Sequence, residues 1–224
     1  MSYLLRVLLP DRPGMLGAVA TALGEVGGDI VSLDVVERGP DGAVDDLIVA
    51  MPAGGLADAL ITAARRVPGV VVESLRPYHG GQDLHRDLEL VDRLAARPAS
   101  GPALLVDGAP GVFRSGWAVL LEGDEASGRR ARVRHASAGA PELDAMVLPW
   151  LPLGSARRLD PDEPWVPERW GVLGIEMAAA PLGRTGSVVL LGRPGGPRFR
   201  ASEVLRLAHL AGIAATVSAE VAAL

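Results

Sequence analysis

Asp11-Arg12-Pro13-Gly14-Met15-Leu16-Gly17 is the segment of this 224-residue chain whose residue types best suit a small anion. It follows an apolar run over residues 3–9 that reads as a central strand, and it precedes a helical repeat that starts at Met15. Pro13 suits the entry of a helix, where its missing N–H costs little. Gly14 has no Cβ, so a ligand can come close to the backbone. The first-turn amides there lack intrahelical partners and point toward an anion. A carboxylate is the natural small anion for such a nest. The same Arg-Pro-Gly sequence also makes a tight strand-to-helix turn with no ligand, and spacing alone does not separate the two readings.

The second half offers three further groupings. Trp150, Trp165 and Trp170 are interleaved with Pro149, Pro152, Pro161, Pro164 and Pro167. Long Pro-rich connections inside a domain tend to be functional, and indoles suit stacking and desolvation of a ligand. With His135 they form a candidate second pocket; alternatively the indoles plug the open side of a sheet or a subunit contact. Arg130, Arg132 and Arg134 alternate along one strand and project from one face, either as an anion site or as a solvated edge that discourages aggregation. His135 lies two residues before Ser137 and is the one candidate general base. His209 falls within a helical pattern, and His79 and His85 are scattered, with His85 and Glu89 sharing a helix face but lacking a third ligand.

Composition removes several chemistries. There is no cysteine, so disulfides, thiolate metal sites and cysteine nucleophiles are excluded. All 22 cations are arginine, so a Walker A lysine and Schiff-base catalysis are excluded as well. A net charge of −5 argues against a general nucleic-acid binder. No Gly-x-Ser-x-Gly or Gly-x-Gly-x-x-Gly occurs; the nearest segment, His135-Ala136-Ser137-Ala138-Gly139, lacks the first glycine. No EF-hand spacing, metal site or cofactor is expected. The N-terminal apolar stretch is too short for a signal sequence, and residues 207–219 are too few to span a bilayer, so a cytoplasmic protein is expected.

The elements that must position these residues follow from periodicity. Over residues 3–78 a strand, a helix, a hairpin across Gly39-Pro40-Asp41-Gly42, a second helix stopped by Pro68-Gly69 and a last strand give the order βαββαβ. This is a ferredoxin-like unit with both helices on one face. It carries 10 acids and 6 arginines, whereas residues 98–224 carry 13 of each. A hinge is expected at residues 79–82, around Gly80-Gly81. The second domain then covers residues 83–224. It has a helix over 83–96, strands near 117–121, 131–135, 176–180 and 187–191, and a closing helix that Ser202 can cap. The fold class is α+β throughout, with the two helices of the second domain packed together.

Leu8-Leu9-Pro10-Asp11-Arg12-Pro13-Gly14-Met15-Leu16 followed by Gly27-Gly28-Asp29-Ile30 resembles the first half of an ACT domain, a βαββαβ regulatory module. The resemblance implies side-by-side pairing through the second strand. It also implies an amino-acid site where the loop after the first strand meets the second strand of a partner subunit. Carried over, Asp11, Arg12, Pro13, Gly14, Met15 and Leu16 supply the loop side, and Asp29 and Ile30 the strand side. The departure is aspartate at 11 and 29, where amino-acid-binding members often have asparagine. Aspartate accepts from an α-ammonium but repels an α-carboxylate.

Residues 176–215 are similar to the end of a GAF domain, through Ala180-Pro181-Leu182-Gly183 and Gly186-Ser187-Val188-Val189-Leu190-Leu191-Gly192-Arg193 with Phe199, Glu203, Leu207 and Ala211. That resemblance implies a small-molecule pocket and dimerisation through terminal helices. Cysteine-based sulfoxide reduction, thioether-bound bilins and the cyclic-nucleotide signature are excluded by composition. The expected function is therefore a homodimeric amino-acid sensor without catalysis that biases an oligomer or a partner protein. The alternatives are a hydrolase-like enzyme using His135 and an assembly subunit with vestigial pockets.

Overall fold

The computed structural model describes residues 1–78, 86–123, 130–143, 146–183 and 186–222. They divide into two units, Met1–Gly81 and Gln82–Leu224. The expected hinge at 79–82, with His79, and the neighbouring His85 lie outside the described residues.

In the first unit, the order is β1 (Ser2–Leu9), α1 (Met15–Glu25), β2 (Asp29–Gly39), β3 (Gly42–Ala50), α2 (Ala57–Arg66) and β4 (Val71–Tyr78). The sheet is antiparallel in the order β2-β3-β1-β4, so β2 and β4 are its edges. Leu5, Val7 and Leu9 of β1 alternate with residues of the opposite face and meet Ala43, Leu47 and Val49 of β3. Met15, Val19 and Leu23, spaced four apart on α1, and Leu60, Ala63 and Ala64 of α2 close over them. Both helices thus cover one face. On the opposite face Arg6 and Asp46 are buried as a two-pronged ion pair, with both hydrogen bonds at 2.7 Å.

The second unit holds α3 (Arg86–Ala96), α4 (Gly101–Phe113), β5 (Trp117–Gly123), β6 (Arg130–Ala136), β7 (Met146–Val147), β8 (Arg157–Leu159), α5 (Glu168–Val172), β9 (Glu176–Pro181), β10 (Ser187–Arg193) and α6 (Ala201–Ala222). Its antiparallel sheet runs β7-β6-β5-β10-β9-β8. Strand alternation splits the core in two. Ala118, Leu120, Val189 and Leu191 face Leu94 of α3, Leu105 and Ala109 of α4, and Leu207 and Ala211 of α6. Val119, Leu121, Val188 and Leu190 face Trp150 and Trp170 from the long connections.

Two expectations change here, and a third point bears on a choice left open. Two packed helices are expected from the sequence, but α4 makes a third. Its three glycines and two prolines hide it from a propensity reading. Pro102 sits in the first turn, where a proline is tolerated. At Gly108 a Cβ would come within 2.7 Å of Leu90, so the glycine lets α3 approach closely. Ser202 lies inside α6, which begins at Ala201, and so does not occupy the position before the helix. Instead the Glu203 carboxylate accepts from the Arg200 amide at 2.8 Å, the acidic half of a capping box. Finally, β6 is covered at one end by β7, and Arg132 and Arg134 are exposed and approach Glu122 at 3.8 and 3.3 Å, the arrangement of a solvated face.

Candidate functional site

Gly14 occupies the N-cap of α1 with φ 88° and ψ −13°, in the left-handed region that glycine adopts without strain. Pro13 therefore lies in the preceding turn and not inside the helix. Asp11, Arg12, Pro13 and Gly14 are exposed, Met15 is buried, and Leu16 is half-buried. No side chain caps the helix, and its first turn carries no acid. The Met15 amide donates to the Arg12 carbonyl at 3.4 Å, and a Cβ at Gly14 would meet nothing within 4 Å, so the space beside this backbone is open. Arg12 folds back along the loop, its Nε donating to the Met15 sulfur at 3.3 Å.

The strand side does not join this loop within one chain. The strand ladders pair Leu9 with Ala43 and Ala43 with Arg38 at the loop end of the sheet. Asp29 pairs with Ala50, and Ala50 with Ser2, at the far end. Asp29 and Ile30 are thus separated from residues 11–16 by the length of the sheet. A second copy is needed to bring both halves of the expected site together.

Asp45, a residue absent from the sequence-based site, lies at the loop end. It pairs with Val7 and Val35 and shares the helix-covered face with Ala43 and Leu47. It is 3% exposed, and its Oδ1 has no hydrogen-bond partner. Burial raises its pKa above the usual aspartate value. Arg38 works in the opposite direction, while Asp46, Asp11 and Asp34 add to the rise. The signal was present in the sequence: Asp45-Asp46 interrupts an otherwise apolar strand. Asp46 has its arginine; the Asp45 Oδ1 is left without a partner.

The second candidate pocket is partly regrouped. A cleft of about 380 Å³ is lined by Pro149, Trp150 and Trp165 on one side and by Arg157, Arg158 and Leu159 of β8 on another, with Asp160 and Glu163 completing it. Trp150 and Trp165 meet edge to face, with ring centroids 5.6 Å apart. Trp170 is not at this cleft: it is 1% exposed and packs on Trp117 at 5.1 Å, so it plugs the sheet. His135 also lies elsewhere, on β6, where its Nε2 is 2.8 Å from Asp107 Oδ1 of α4. Both side chains are partly exposed. The Ser137 hydroxyl accepts from the Ala118 amide at 2.9 Å. His135 therefore has a carboxylate, as a catalytic pair would, but the adjacent serine is occupied by the sheet. Among the described residues no cluster of three His, Asp or Glu could hold a metal, and no helix is long and apolar enough to cross a membrane.

Residues 3–69 match the ACT domain family. Curated proteins give no match. Among solved structures, a free methionine-R-sulfoxide reductase from Neisseria meningitidis, solved with its substrate, superposes with TM-score 0.50 at 13% identity over 65% of this chain and 97% of that one. The GAF domain of an Acinetobacter phosphoenolpyruvate-protein phosphotransferase gives 0.46 at 11% identity, over 61% and 95%. A GAF domain/HD domain protein from Geobacter sulfurreducens gives 0.40 at 16%, over 62% and 99%. The first of these, at TM-score 0.50 and 13% identity, speaks for fold alone. The fold is α+β, an ACT-type βαββαβ start followed by a GAF-like antiparallel sheet with helices packed on it.

Proposed function

We propose that this chain, an ACT domain followed by a GAF-like unit, is a cytoplasmic sensor that binds an amino acid and uses it to bias an oligomer or a partner protein, with no catalysis of its own. Two observations support this reading: the N-terminus of α1 at Gly14 is exposed, and Asp45, on β3 toward the same end of the ACT sheet, has a buried Oδ1 without a hydrogen-bond partner. Free amides recognise a carboxylate, and a desolvated aspartate recognises an ammonium. A zwitterion needs both. Aspartate at positions 11 and 29 fits the same division, since both acids serve the ammonium end.

In a thermal-shift screen of the full chain against the twenty amino acids, at least one should raise the melting temperature, because a ligand that prefers the folded state stabilises it. Gly14→Val places a branched side chain where the ligand approaches and forces a left-handed backbone on a residue that resists it. The shift should vanish in that variant while the apo protein still melts cooperatively. Undiminished binding by Gly14→Val would remove this loop from the site.

A homodimer follows from the same geometry. Edge strand β2 exposes Val31, Leu33 and Val35, at 63%, 38% and 41%, beside unpaired backbone groups. Antiparallel pairing of β2 with its copy would bury them and set the Asp29 end of one strand beside the Gly39 end of the other. That is the end where the loop of residues 11–16 lies. Light scattering should give a dimer at micromolar concentration, and Leu33→Glu should shift it to monomer and abolish amino-acid binding. A wild-type monomer under those conditions would overturn the dimer and the shared site together.

A further inference from the structure

The cleft beside β8 carries chemistry that the N-terminal site does not use. Its volume of about 380 Å³ lies in the range of small-molecule sites. Two indoles inclined at 67° to each other offer one face and one edge to a flat apolar group. Arg157 pairs with Ala179 on β9 and so projects to the same face as the Trp cluster. Neither Arg157, Arg158 nor Glu163 makes a side-chain hydrogen bond or ion pair among the described residues. One Asp160 oxygen accepts from the Asp162 amide, and the other is uncommitted. Trp150 itself is anchored in the core at 8% exposed, with its indole N–H buried away from solvent. Two cations and two anions flanking an aromatic wall are wasted on a neutral hydrocarbon and conflict with a simple anion.

We infer that this cleft binds a free aromatic amino acid, with its ring against Trp150 and Trp165, its carboxylate at Arg157 and its ammonium at Asp160 and Glu163. The inference concerns the second unit alone and does not depend on the N-terminal site. L-phenylalanine is the probe, because excitation of the four tryptophans of the full chain leaves it silent. Titration should change tryptophan fluorescence saturably and raise the melting temperature. Removing one charge of the ligand, as in 3-phenylpropanoate or phenethylamine, should weaken binding about tenfold or more. Arg157→Gln, a surface change that leaves the core intact, should do the same, and Trp165→Leu should abolish the fluorescence response. Gly14→Val should leave the titration unchanged.

No saturable response below about 10 mM, the weak end of useful binding, would overturn the inference. So would an Arg157→Gln protein that binds L-phenylalanine as wild type does. Equal affinity for 3-phenylpropanoate would show that the acids are unused and overturn the zwitterion assignment. Loss of the response in Gly14→Val, with Arg157→Gln unaffected, would place phenylalanine in the ACT unit and overturn the cleft as its site, while supporting the N-terminal reading.

Discussion

Glu203→Ala is expected to destabilise the second unit by about 3–5 kcal/mol, the cost of leaving one member of a buried ion pair without its partner. Arg193 is fully buried, and its Nη2 donates to Glu203 Oε1 at 2.6 Å. The same guanidinium donates to the carbonyl of Phe113, the last residue of α4, and to Pro197 at 3.0 Å, and it lies 3.9 Å over the Phe199 ring. One side chain of β10 therefore ties the C-terminus of α4 to the start of α6. Glu203 neutralises it while also receiving the Arg200 amide. The variant loses the ion pair and the cap at once. Urea unfolding followed by tryptophan fluorescence reads this unit, because Trp117, Trp150, Trp165 and Trp170 all lie in it. A loss below about 1 kcal/mol, the level of an exposed pair, would mean that solvent reaches Arg193. Glu203→Leu combined with Arg193→Met should recover most of the loss, since apolar residues of similar volume replace buried pairs well.

What the sequence disclosed and what it hid follow from how far each signal reaches along the chain. The βαββαβ order was legible because its periods change at Gly and Pro punctuation within a few residues. The Gly14 loop was legible for the same reason. Helix α4 was not, because propensity counts its glycines and prolines against a helix, whereas Gly108 is there to let Leu90 approach. The second pocket failed in a different way. Trp150, Trp165 and Trp170 are close in sequence, but burial places Trp170 under the sheet and leaves the other two at the cleft. His135 is near them in the chain, yet it projects to the helix side, where it meets Asp107. Asp45 is hidden in a pattern reading because the strand around it is otherwise apolar and one acid does not disturb the period.

That residue makes the second large expectation. At neutral pH Asp45→Asn should raise the melting temperature of the ACT unit while weakening its amino-acid binding about tenfold or more. Burial, reinforced by Asp46, Asp11 and Asp34 and opposed by Arg38, raises the Asp45 pKa in the folded state. A carboxyl whose folded pKa lies above its unfolded value favours folding at low pH, where it is protonated in both states. That contribution is lost as pH rises through the folded pKa, and at pH 7 the ionised group stands as a cost. Each unit of difference is worth about 1.4 kcal/mol. For a domain this small, every 1 kcal/mol of stability moves the melting temperature by about 4–8 °C. Asparagine does not ionise, so the stabilisation should be largest at pH 7 and should shrink as pH falls toward 4. A ligand ammonium opposite Asp45 relieves the same cost in the wild type, so binding should also weaken in acid, and the variant should lack that pH dependence. An Asp45→Asn protein no more stable than wild type at pH 7 would show that the carboxylate is already satisfied. One that is more stable but binds its amino acid unchanged would separate the buried charge from the ligand and leave residues 11–16 to hold it unaided.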